Sequence, residues 1–182
     1  MIPRRKPNSA LVFVAALVMV TLFVLSLFVQ PASPADSKKS PRYLLAVKLQ
    51  HALVGTPMQN LGFILEAEGY RANISPYFIV GAAGTESGEG RNPGRYGCSG
   101  NKYNVWGLGA CGRAWNEPHF VSWRHAIRYY VDFINHYWPK AQTVYDLHGY
   151  CPPCGSRAWG AQTYAWMLKM FGNVTYSIKY PR

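Results

Sequence analysis

The amino-acid sequence predicts a mainly α domain with one loop-rich insert, preceded by a single N-terminal transmembrane helix. An uncharged apolar run fills residues 10–29. Later segments repeat apolar side chains at helical spacing between start and stop signals, and residues 88–118 break that pattern with dense glycine.

At about 1.5 Å per residue, the apolar run 10–29 is long enough to span the hydrocarbon core of a bilayer. Arg4, Arg5 and Lys6 stand just before it, so the positive-inside rule keeps residues 1–9 in the cytoplasm and exports the chain beyond residue 30. Ser33-Pro34-Ala35 would serve as a small-residue cleavage site, which makes a secreted product the alternative. The apolar stretch exceeds the usual signal-peptide length and favours a retained anchor in the cell membrane, with the domain extracytoplasmic. Residues 30–41, rich in Pro, Ser, Ala and Lys, are too poor in apolar content to pack and read as a linker. The remainder, 42–182, has the size of one domain of about 140 residues.

The formal net charge is +11, and the 16 basic residues beyond the apolar run face all eight acids. That balance favours an anionic partner. The basic residues are scattered rather than blocked, which argues against a nucleic-acid tract.

Within 42–182, residues 43–54 form a first predicted helix that ends at Gly55. Thr56-Pro57 offers an N-cap and a first-turn proline for a second helix, closed by Gly69. Ser75-Pro76 repeats that start signal for a third, over 77–86. Ser122 caps the most amphipathic run, from Trp123 to Trp138, where Pro139 stops it. Ser156 begins a last helix, with Gly172 at its end. The insert between the third helix and Ser122 carries a small β element at most. Loops of that length inside compact domains are usually functional.

The third helix is apolar nearly all round, which marks it as central and buried. Glu86 stands at its end, on one of the buried faces. Desolvation and the helix C-terminal dipole both favour its protonated form, the state a general acid needs. The bland alternative is a carboxylate that turns outward as the helix ends.

Glu86-Ser87-Gly88 closes that helix, and Asn104-Val105-Trp106-Gly107-Leu108-Gly109 begins 18 residues after Glu86. This ordered set resembles the lysozyme-like superfamily, in particular cell-wall glucosaminidases and lytic transglycosylases. Those enzymes share an apolar helix ending in Glu-Ser-Gly, a loop, and an Asn-x-aromatic-Gly-[Leu/Ile] segment. The resemblance begins near Leu49 and runs through Phe120-Val121-Ser122-Trp123 to Tyr164-Ala165. It implies a lysozyme-like domain that cleaves the β-1,4 bonds of peptidoglycan strands, between N-acetylglucosamine and N-acetylmuramic acid, without a cofactor. It also implies Glu86 as the acid/base, with Ser87, Asn104, Trp106, Gly107 and Tyr164 along the glycan cleft. Trp106 and Tyr164 fit the core equally well.

A two-carboxylate glycosidase needs a second acid. Glu89 in the loop is the candidate; Glu117, Asp132 and Asp146 are weaker, Asp132 reading as solvated and Asp146 as a turn cap. With no second acid prominent, a single-Glu mechanism is favoured, ending in hydrolysis or in a 1,6-anhydro product. A non-catalytic glycan-binding or envelope scaffold domain is the competing class.

Four cysteines outside the cytoplasm predict disulfides, with three pairings open. Cys98 and Cys111 bracket the Asn104–Trp106 loop, and joining them would stabilise by about 3 kcal/mol on the loop-entropy model. Cys151 and Cys154 could pair locally, or join His148 as three zinc ligands lacking a fourth. Disulfides are favoured and no metal is expected.

Overall fold

The computed structural model describes residues 40–91, 102–108, 120–150 and 155–181. The predicted cytoplasmic segment, the apolar run 10–29, most of the linker, most of the glycine-rich insert, Glu117 and all four cysteines lie outside them. Residues from Ser40 onward form one compact unit. It is mainly helical: α1 Pro41–Ala52, α2 Gly62–Ala72, α3 Pro76–Ser87, α4 Trp123–Tyr137 and α5 Ser156–Phe171, with a 3-10 turn at Val144–Asp146 before α5. Among the described residues no helix is long and apolar enough to cross a membrane.

Local chemistry sets most boundaries. Ser40 accepts from the Tyr43 N–H at 3.2 Å and caps α1 ahead of Pro41. Pro76 opens α3, and Ser122 caps α4 through the His125 N–H at 3.2 Å. Gly172 ends α5 at φ 72°.

The second helix departs from expectation at both ends. Thr56-Pro57 does not start it. The Thr56 hydroxyl donates to the Leu53 carbonyl at 2.9 Å and accepts from the Met58 N–H at 3.1 Å, which closes a turn. α2 begins at Gly62, whose N–H is taken by the Gln50 side-chain oxygen of α1 at 3.0 Å. The cap is thus supplied from another helix. Gly69 does not end α2 either; Asn73, at φ 54°, does. Gly69 is small for packing, since a Cβ there would lie 2.6 Å from the Ile74 carbonyl oxygen.

α3 is buried along almost its whole length, as its composition predicts. It packs on α5 through its small residues. A Cβ on Gly81 would meet Met167 at 2.5 Å, one on Gly84 would meet the Trp166 ring at 2.6 Å, and the Thr85 and Thr163 hydroxyls join at 3.1 Å. Phe78 of α3 stacks on Tyr130 of α4 and meets the Trp159 ring of α5 edge-on, so the three helices share an aromatic core.

The β content among the described residues is limited to two isolated antiparallel bridges, Ile74 with Lys179 and Thr143 with Ser177. Residues 174–180 thereby run between the α2–α3 junction and the segment before the 3-10 turn. The Ser75 N–H donates to Ile178 at 2.7 Å, and the Ile178 N–H to Gln142 at 2.9 Å.

Candidate active site

α3 delivers Glu86 to the point where α4, α5 and residues 102–108 converge. Its carboxylate is half-buried. The Trp159 indole N–H of α5 donates to Oε1 at 2.6 Å, and Gly107 approaches the other oxygen so closely that a Cβ would sit 3.5 Å from Oε2. Burial raises the Glu86 pKa above the ordinary carboxylate value, and the Trp159 hydrogen bond partly opposes that rise.

Two tyrosines complete the pocket around Glu86. Tyr150 packs on Trp159 with ring centroids 4.3 Å apart and donates its hydroxyl to the Trp106 carbonyl at 3.2 Å. Tyr130 is fully buried, and its hydroxyl has no hydrogen-bond partner among the described residues. Burial pushes both hydroxyls well above their usual pKa, and the negative charge on Glu86 adds to the rise. Both phenols therefore stay neutral.

The segment after α3 has a structural logic of its own. Gly88 caps the helix in the left-handed region, at φ 62°. The Ser87 hydroxyl donates to Ala83 and accepts from the Gly90 N–H, both at 2.9 Å, so Ser87 fixes the turn just past the acid. Asn104 pins its own loop: its amide donates to the Leu108 carbonyl at 2.7 Å, and its oxygen accepts from the Leu108 N–H at 3.0 Å. Trp106 is a core residue, 1% exposed, stacked on Tyr130 at 4.8 Å, with its N–H on the Ile79 carbonyl at 2.9 Å. Together these bonds set the backbone at Gly107, where φ is 64°, beside the carboxylate. Of the residues expected along the cleft, Gly107 alone is brought against Glu86. Ser87, Asn104 and Trp106 support it from behind.

Tyr164 faces elsewhere. Its hydroxyl donates to the Val174 carbonyl at 3.1 Å, and its ring meets Tyr176 edge-on. The contact ties α5 to residues 174–180.

The other described acids are committed away from Glu86. Glu89 is buried, with Arg91 at 3.7 Å; Asp132 is exposed and pairs with Arg71 at 2.7 Å. Asp146 accepts from the Gln142 and Thr143 N–H groups, a turn cap as read from the sequence. Glu66 and Glu68, both buried, are held by arginines.

Trp159, Tyr150 and Tyr130 escaped the sequence reading. They lie 44 to 73 residues from Glu86, and no local spacing links them to it. One signal was available: a tryptophan inside an apolar helix needs a partner for its N–H, and a buried carboxylate needs a donor. Comparison with protein-family models, curated proteins and solved structures finds no match to this chain.

Proposed function

We propose that this chain is a peptidoglycan-cleaving glycosidase with a lysozyme-like domain and Glu86 as its single catalytic carboxyl. The observation that carries the reading is the state of Glu86: half-buried at the end of an apolar helix, its pKa raised by desolvation, with an indole donor holding one oxygen. A carboxyl kept protonated near neutral pH can deliver a proton to a leaving glycosidic oxygen. A buried carboxylate is also costly to keep without a use, which weighs against a purely scaffolding domain.

The commitment of the other described acids to arginines and backbone N–H groups favours a mechanism without a second protein carboxylate. The Glu86 proton passes to the glycosidic oxygen as the C1–O bond breaks. The carbonyl oxygen of the substrate's own 2-acetamido group bonds to C1 from the opposite face. Glu86, now ionised, takes a proton from the incoming nucleophile. Water as that nucleophile gives a hydrolysed end, and the sugar's 6-hydroxyl gives a 1,6-anhydro end. The uncharged run 10–29 would tether the domain to the membrane on the side where the wall lies.

The test is a zymogram on purified wall material with the parent and Glu86→Gln. Glutamine keeps the shape and lacks the transferable proton, so lysis should fall by at least about 100-fold. Circular dichroism should stay unchanged. A Glu86→Gln variant that lyses walls like the parent removes the reading, and mass spectrometry of the products separates hydrolysis from the anhydro outcome.

A further inference from the structure

A row of aromatic rings leads from the surface to Glu86. Tyr137 is 59% exposed, and its ring centroid lies 5.8 Å from that of Trp138. Trp138 lies 5.8 Å from Tyr150, and Tyr150 lies 4.3 Å from Trp159, whose N–H holds the carboxylate at 2.6 Å. Phe133 backs the row, touching Tyr137, Trp138 and Tyr150 at 4.7, 5.8 and 6.4 Å.

The inner members are accounted for. Trp159 is fully buried and positions Glu86; Tyr150 packs on it. Trp138 is different. It is the C-cap residue of α4, half-buried, and helix packing does not require an indole there. Its single polar atom, Nε1, already donates to the His148 carbonyl at 2.9 Å. What it offers solvent is therefore carbon and π surface only, with the ring plane fixed at two points, the backbone and that hydrogen bond. A rigid, apolar, partly exposed ring in line with a carboxyl suits one kind of ligand: a flat molecule with an apolar C–H face and polar edges. A pyranose is such a molecule. Tyr137 beside it adds a second exposed ring, with a hydroxyl for the sugar's edge.

We propose that Trp138, flanked by Tyr137, is the stacking platform for an N-acetylated hexopyranose unit of a glycan strand bound across Glu86. The proposal rests on the glycosidase reading and names how the strand is held. Trp138 acts in binding, away from the reacting bond, so its loss falls on KM and leaves the pH profile in place.

The experiment measures binding of a β-1,4-linked N-acetylglucosamine hexamer by calorimetry. It uses the uncleaving Glu86→Gln chain, with Trp138→Ala, Trp138→Phe and Tyr137→Ala each added to it. Wall-lysis kinetics are run in parallel on chains that keep Glu86. Trp138→Ala should weaken binding about 3- to 10-fold, the worth of one aromatic contact, with the loss in lysis appearing mainly in KM. Trp138→Phe should recover part of the affinity, and the exposed Tyr137→Ala should lose less than Trp138→Ala. If Trp138→Ala perturbs the helical signal, Trp138→Phe and Tyr137→Ala decide the matter, each expected to bind measurably more weakly than the parent. Unchanged affinity in all three, or no binding by Glu86→Gln itself, overturns the platform. The two readings fail separately. Full lysis by Glu86→Gln ends the role of Glu86 while a Trp138-dependent affinity would stand, and dead Glu86→Gln with Trp138-independent affinity keeps the enzyme and removes the platform.

Discussion

Glu86 lies under two opposing influences. Burial favours its protonated form, and the Trp159 N–H favours its carboxylate. If Glu86 is the general acid, activity falls as pH rises through its raised pKa. Trp159→Phe deletes the donor and keeps an aromatic ring, so the pKa should rise further and the alkaline limb of the pH–rate profile should move to higher pH. A limb that stays put would detach Trp159 from the proton. The effect on stability has a definite sign. A carboxyl whose pKa is raised by folding stabilises the fold fully at pH below its unfolded value, and that contribution is lost as pH rises through the folded value. At neutral pH, Glu86→Gln should therefore unfold at a temperature equal to or above the parent's.

Helix contacts in this domain are set by glycines of two kinds. Gly62 lies against the α1 backbone, where a Cβ would come within 2.6 Å of the Gln50 nitrogen. Gly84 lies against the Trp166 ring, a half-buried side chain with room to turn. Gly62→Ala should therefore cost about 1–3 kcal/mol, the usual range for overpacking, while Gly84→Ala should cost less because the indole can yield and alanine favours the helix. Chemical denaturation of the two variants checks the order. The contrast also marks what was legible in the sequence. Ser-Pro pairs, Ser122 and Gly172 give helix ends because their effect is local, within one turn. The start of α2 was not legible, because its cap comes from Gln50 on another helix. The site divides the same way. Glu86 could be read from the apolar helix that carries it. The turn-fixing roles of Ser87, Asn104 and Trp106 appear only when their hydrogen bonds are traced, and Trp159 reaches Glu86 through tertiary packing alone.

At the scale of the whole folded unit, buried acids join separate elements. Glu68 of α2 accepts from Arg71 on its own helix and from Arg128 on α4, and Arg71 reaches on to Asp132. Burial would raise the Glu68 pKa, but the hydrogen bonds from Arg128 and Arg71 outweigh it and hold it below the ordinary value. Its contribution to stability is present above the unfolded carboxylate pKa and lost as pH falls through the lower folded value. Thermal unfolding measured toward acid should show the parent losing stability in that range, with a shallower loss in Glu68→Gln. Equal slopes would remove Glu68 from the acid response.

Glu66 is shared across a long stretch of chain. Arg42 reaches it from 24 residues before, and the Tyr180 hydroxyl, at 2.7 Å, from 114 residues after. Between those contacts, residues 174–180 bridge the α2–α3 junction to the segment before the 3-10 turn. A polypeptide emerging in order, from a ribosome or through a channel, exposes α1, α2 and α3 long before residue 174 arrives. Until then Glu66 has its arginine but not its phenol, and the Ser75 N–H lacks the Ile178 carbonyl. Such long-range contacts form late and slow the final step. The chain is therefore pliable for most of its emergence and becomes rigid only near the end, which suits a domain that must pass through a narrow opening before it works.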